Sequence, residues 1–239
     1  MRRGTTGQAI WIISLLVVLG LVVQLFLPQA AAWFLAGLLR REVGAEGRLS
    51  VEIESLPAVE LLLGQIDRLQ VDARAVRLDN LVVETLLVDV RDLQVDLGEL
   101  LRGRFAAREQ GAARARLVLT EEALNEYLWA QWDPSRRFRI RLTPAAATLE
   151  GSLFGEVLPV RVEGELSLAD ATHIRFQPKR VSVREAQLPE ALLRVVGEEL
   201  LFPVDVEDLP LAIGLDGLSL GDGWLVATGS SGALGGAGR

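Results

Sequence analysis

The chain is 239 residues long, half of them apolar, with 25 basic against 32 acidic side chains and a net charge of −7. That balance excludes a disordered polar tract and leaves no basic footprint for nucleic acid. With no cysteine, and His173 as its one histidine, the sequence offers no disulfide, thiol nucleophile, thiolate zinc site, iron–sulfur cluster or histidine-rich metal site. Lys179 is the only lysine, a bias that fits a GC-rich coding sequence better than a Schiff-base site.

Charge is unevenly spread. Residues 1–45 hold four Arg and one Glu, net +3, which leaves −10 for residues 46–239, so two unlike pieces share the chain. Residues 10–27 carry no charge, and 18 residues of helix at 1.5 Å each span about 27 Å, close to the hydrocarbon thickness of a bilayer. This predicts a single transmembrane helix. Arg2 and Arg3 precede it, which places residues 1–9 in the cytoplasm and the main domain outside, whereas Arg40 and Arg41 count against that orientation. Ala30, Ala31 and Ala32 supply an A-x-A-like site, so a cleaved signal peptide is the competing reading. The uncharged run exceeds the usual signal core of about 7–15 residues, which favours a retained anchor.

Residues 28–45 read as a juxtamembrane helix that can run on from the first, with Trp33 and Phe34 as membrane-interface aromatics and Gly44 as C-cap. After Gly47 the apolar period becomes two: Leu49, Val51, Ile53; Leu69, Val71, Ala73; Leu86, Val88, Val90; Phe138, Ile140, Leu142. Later runs are Val160 and Val162 with Leu166 and Leu168, Ile174 and Phe176, Val181 and Val183, Leu211 to Leu215, and Leu218 with Leu220. Arg137, Arg139 and Arg141, or Arg161, Glu163 and Glu165, fill alternate positions, so each strand has a dry and a wet face. The expectation is one curved antiparallel sheet.

Three helical stretches interrupt it: one opened by Pro57 and closed by Gly64, a second over 121–132, and a third over 189–201. The second has Thr120 as N-cap and Ala123, Leu124, Tyr127 and Leu128 on one face; Trp129 and Trp132 point elsewhere, suited to a membrane interface, an apolar ligand or a neighbouring strand. The third sets Leu192, Val196 and Leu200 against Glu190, Arg194 and Glu198. Residues 229–239 are Gly-rich and read as a disordered tail.

No catalytic motif stands out. Phosphate-cradling loops, dinucleotide fingerprints, H-E-x-x-H and G-x-S-x-G are all missing. Glu121 with Glu122 reads as an acidic first helical turn, Glu198 with Glu199 as a solvated helix end, and Asp216 and Asp222 lie in a glycine-rich turn without calcium-loop spacing. The sequence therefore implies no catalytic residue, no metal and no cofactor.

Leu56-Pro57 followed by Leu61-Leu62-x-Gly64, the segments around Val71 and Leu81-x-Val83, Val95-Asp96-Leu97 with Leu100, and Leu117-x-Leu119-Thr120-Glu121-x-x-Leu124-Asn125 carry a resemblance. In their order and spacing the chain resembles the LmeA-like phospholipid-binding proteins of the bacterial envelope, from about residue 49 to 228. The resemblance implies an α+β fold of the tubular lipid-binding kind, a curved antiparallel sheet wrapped around a long amphipathic helix, here preceded by the transmembrane helix. It implies a phospholipid or other acyl lipid as partner, with the membrane close by. Helix faces supply the lining candidates: Leu61, Leu62, Leu124, Leu128, Leu192, Val196 and Leu200. The expected protein is a non-enzymatic, membrane-anchored, extracytoplasmic lipid binder over residues 46–228. Its alternative is a non-catalytic envelope scaffold with no lipid cavity.

Overall fold

A computed structural model describes residues 5–42, 48–78, 81–153, 158–171, 173–183, 186–187, 201–203, 211 and 213–232. The first element is one continuous helix, α1 (Thr5–Glu42), with Pro28 inside it. The membrane segment and the juxtamembrane helix are thus a single rod, about 57 Å long at 1.5 Å per residue. Its two halves differ. From Ser14 to Val22 its side chains are exposed, whereas Leu35 and Leu38 are 3% and 7% exposed and belong to the core. Leu27, Ala31, Ala32 and Leu39 lie half-buried against that core, so the spacing of i, i+4, i+8 puts one helix face on the domain.

The chain continues through β1 (Leu49–Glu54), a 3-10 turn (Ala58–Leu63), β2 (Gln65–Leu78), β3 (Leu81–Val95), α2 (Leu97–Leu101), β4 (Ala107–Glu109) and β5 (Ala113–Thr120). Helix α3 (Glu121–Gln131) leads to β6 (Phe138–Leu142), β7 (Ala147–Leu153), β8 (Leu158–Leu168), β9 (His173–Val183), β10 (Ala186–Gln187), β11 (Leu201–Pro203), β12 (Gly214–Gly221) and β13 (Trp224–Ser230). The 3-10 turn closes at Gly64, where φ is +80° and a Cβ would stand 2.4 Å from the Val95 carbonyl oxygen, so only glycine lets the chain turn there.

The one sheet expected from the alternating runs is two curved antiparallel sheets. The first has the order β1-β2-β3-β5-β13-β12, with β4 also on β3; the second runs β10-β9-β8-β7-β6, with β11 also on β9. The division has a local cause. Strand β5 pairs with β3 and β13, and the chain then enters α3, whose side chains occupy the free edge of β6. The Asn125 amide donates to the Ile140 carbonyl at 2.8 Å and accepts from the Ile140 N–H at 2.6 Å, while the Glu121 carboxylate accepts from the Leu142 N–H at 2.9 Å. These side chains stand in for a neighbouring strand, so the sheet stops.

The sheets nevertheless share one core. The Gly223 turn ties them, with its N–H donating to the Leu142 carbonyl and its carbonyl accepting from the Glu121 N–H; the Leu215 N–H also reaches the Ala171 carbonyl at 2.7 Å. The wet face of the second sheet carries the expected alternating charges, with Glu150 bridging Arg141 and Arg161 and Glu163 meeting Arg180 at 3.2 Å. Leu35 of α1 belongs to the same core cluster as the strands, and Leu38 is buried too, so the packed unit extends to the N-terminal side of the boundary expected at residue 46. The tail boundary also moves: β13 includes Gly229 and Ser230, and the Ser231 N–H donates to the Ala113 carbonyl. The expected third helix, with Leu192, Val196 and Leu200, lies outside the described residues.

Candidate functional site

Where α3 meets both sheets, an apolar cleft opens. Leu124, Tyr127 and Leu128 enter it from α3, Leu81, Leu119 and Leu225 from the first sheet, and Ile140, Leu149, Leu166, Ile174 and Phe176 from the second, with Ala147 and Thr148 between them. Thr120 places the helix: its hydroxyl accepts from the Ala123 N–H at 3.2 Å and starts α3 at Glu121, satisfying one of the N–H groups that the first turn leaves free. Helical spacing then sends Leu124 and Leu128 to the same side. Phe176 reaches the cleft across Gly164, where a Cβ would meet the phenyl ring at 2.5 Å.

Among the described residues no charged side chain lines the cleft, whose surface is apolar apart from the hydroxyls of Tyr127 and Thr148, so it favours apolar groups leaving water. Its volume is about 40 Å³, room for about three water-sized groups. That is less than the volume of a whole acyl chain.

Of the lining candidates read from the sequence, Leu124 and Leu128 converge on the cleft. Leu61 is buried in the core below the 3-10 turn, and its neighbour Leu62 is 61% exposed on the outer surface. The interface aromatics also separate. Trp33 and Phe34 stand exposed on α1, and Trp132 is exposed and edge-on to Tyr127. Trp129 is clamped: its indole N–H donates to the Phe138 carbonyl at 2.6 Å, and the guanidinium groups of Arg136 and Arg139 lie 4.8 and 5.8 Å from its ring centre. The neighbouring-strand reading describes Trp129 better than a free interface does. Of the strand residues of the cleft, Ile140, Leu166, Ile174 and Phe176 lie within the alternating runs, whereas Leu81, Leu119, Leu149 and Leu225 do not, and alternation alone does not say which dry face meets which.

Two carboxylates outside the cleft are held below the usual carboxylate range. Asp89 owes this to its hydrogen bond from Arg68, with Gln70 adding a second donor. Asp96 owes it to Arg108 and to the N–H groups of Glu99 and Gly98, which it caps at the start of α2. Both are paired acceptors on the surface and neither faces the cleft.

The architecture is therefore that of an α+β protein with two curved antiparallel sheets, an apolar N-terminal helix and a largely apolar cleft between the layers. A family model described as LmeA-like phospholipid-binding matches residues 22–230, and the chain belongs to that family. The match begins where α1 starts to pack on the domain and ends at the last residue of β13. No curated protein and no solved structure matches the chain.

Proposed function

We propose that the protein is a membrane-anchored, extracytoplasmic lipid binder that holds phospholipid acyl chains in the cleft between α3 and the two sheets, for lipid presentation or transfer in envelope maintenance. The observation that carries the reading is the lining, apolar from three directions, in a chain of a phospholipid-binding family. Each methylene moved from water into such a lining is worth about 0.8 kcal/mol, so shape and apolar area suffice and no catalytic group is needed. Helix α1 contains a stretch, Ser14–Arg40, long and apolar enough to cross a membrane. An anchor formed by part of α1 would hold the cleft at a high effective concentration of lipid.

The narrowness of the cleft favours a second reading, an envelope scaffold whose interior is simply a dry core. A phosphatidylcholine bearing a photoactivatable group at the end of one acyl chain separates the two in nanodiscs containing the full chain. Cross-links in α3, β8 and β9 are the expected result. Cross-links confined to the exposed residues of α1 would leave lipid around the anchor only and overturn cleft binding.

A further inference from the structure

Four large apolar side chains stand out of the surface beside α1: Leu56, Val59, Leu62 and Leu63, each more than half exposed. They belong to the 3-10 turn and its approach, whose other apolar residues, Ala58 and Leu61, point into the core. Exposed leucines scattered singly are ordinary, but four on one short turn form a patch. The turn is fixed in position. The Gln24 amide donates to the Ser55 carbonyl at 3.0 Å and accepts from the Ala58 N–H at 2.8 Å, so this patch stands level with residue 24 of the helix.

On the anchored reading, that level falls near a membrane boundary. About 20 residues of helix cross the hydrocarbon of a bilayer, and 20 residues inward from Gln24 is Gly4, next to Arg2 and Arg3. Every large apolar side chain described between Trp11 and Val22 is exposed in the stretch so defined. Placing the boundary at Trp33 instead would sink the turn, with Glu60 and Asp67 beside it, about 14 Å into hydrocarbon, which carboxylates resist. The backbone of the turn is also prepared for a drier setting. The N–H groups of Leu56, Ala58, Glu60 and Gly64 are all taken, by Asp67, Gln24, Pro57 and Leu61 respectively.

From this we infer that Leu56, Val59, Leu62 and Leu63 form a leucine foot that inserts into the lipid surface next to the helix, with Gln24 setting its depth. The foot rests on the anchored reading above and goes beyond it. A single helix leaves a domain free to swing, whereas a helix plus an inserted turn fixes which side of the domain faces lipid. In this arrangement Trp33 and Phe34 stand outward of the headgroup layer, which extends only about 5–8 Å beyond the hydrocarbon, and not within it.

Because the sequence has no cysteine, single-cysteine variants Leu16→Cys, Trp33→Cys and Leu62→Cys of the full chain accept one environment-sensitive dye each. All three positions are exposed, and each labelled protein is first required to melt as the parent does. In phosphatidylcholine nanodiscs, the Leu62 label is expected to shift to the blue, to lose quenching by iodide and to be quenched by a lipid nitroxide near the headgroup. The Leu16 label should respond to a nitroxide at the chain end, and the Trp33 label to iodide. A Leu62 label open to iodide, with Leu16 still in the chains, would overturn the foot and leave the anchor standing. A Leu62 label shielded from both quenchers would mark a contact between protein copies and also overturn it. A Leu16 label open to iodide would overturn the anchor and the foot together.

Discussion

Asn125 is 3% exposed and satisfies both backbone groups of Ile140 as well as the Glu121 carbonyl. Replacing it with leucine keeps the branched shape, though not the smaller volume, and strands these groups away from water. The expected loss is about 1–3 kcal/mol for each buried group left unpaired, read as a lower urea midpoint. Asn125→Asp keeps one acceptor and removes both donated bonds while burying a charge. The new carboxyl would titrate above its unfolded value, so the variant should be most stable in acid and lose stability as pH rises. Asp96 behaves in the opposite sense. Arg108 and two backbone N–H groups hold its folded-state ionisation below the usual range, so its contribution is present at neutral pH and fades as pH falls below about 4. Urea midpoints of the parent and Asp96→Asn should therefore differ near neutrality and converge in acid. A gap that persists in acid would mean the carboxylate charge is not what stabilises α2.

At the scale of elements, the second half of α1 is part of the domain and not a tether. Leu35 lies in the core cluster, Leu38 is buried, and Gln24 holds the 3-10 turn. A chain beginning at residue 22 should fold cooperatively, whereas one beginning at 46 should be insoluble or lack a cooperative melt. Within the full chain, Leu35→Ala and Leu38→Ala should each lower stability by about 2–5 kcal/mol, the usual range for emptying a packed leucine site. Circular dichroism melts of the four proteins check this. If residues 46–232 melt as sharply as residues 22–232, the helix is a passive leash. These contacts were only half visible in the sequence. Gln24 stands in an uncharged apolar run with nothing local to single it out, because its partners are more than 30 residues away. Strands with clean alternation, such as Leu69–Val71–Ala73 in β2, were legible, while β5, β7 and β13 were not. Ala113–Thr120 opens with Ala and Arg in alternation, β7 contains Gly151, and β13 runs into the glycine-rich tail, so hydrophobic period gave each a weak signal. The missed β5 and β13 are interior strands of the first sheet. Without them the runs before and after α3 join into one sheet, which is why two sheets read as one.

For the molecule as a whole, the proposed function requires a cleft of about 40 Å³ to open before it can take a lipid chain. Both walls belong to one packed core, and the Gly223 turn and the Leu215–Ala171 bond tie the sheets at one side. On the proposed reading, opening would part α3 from β8 and β9, whose Leu124 and Leu128, and Leu166, Ile174 and Phe176, all line the cleft. The residues that line this gap are the ones that close it, so a variant can move stability and lipid uptake in opposite directions. Phe176→Ala removes a buried ring and should destabilise the lipid-free protein by about 3–5 kcal/mol, yet it leaves space that an acyl chain can fill. Its melting temperature should rise more on addition of a short-chain phosphatidylcholine than the parent's does, because a ligand stabilises by RT ln(1 + [L]/Kd) and the affinity has increased. Leu166→Trp, at a half-buried cleft position, should do the reverse, with little or no lipid-dependent rise and weaker photo-cross-linking in α3. If both variants respond to lipid as the parent does, the chain is taken up elsewhere and the cleft is core. If Phe176→Ala gains and Leu166→Trp loses, the same apolar contacts that hold the two sheets together also set the lipid affinity, and binding replaces part of the core instead of adding to it.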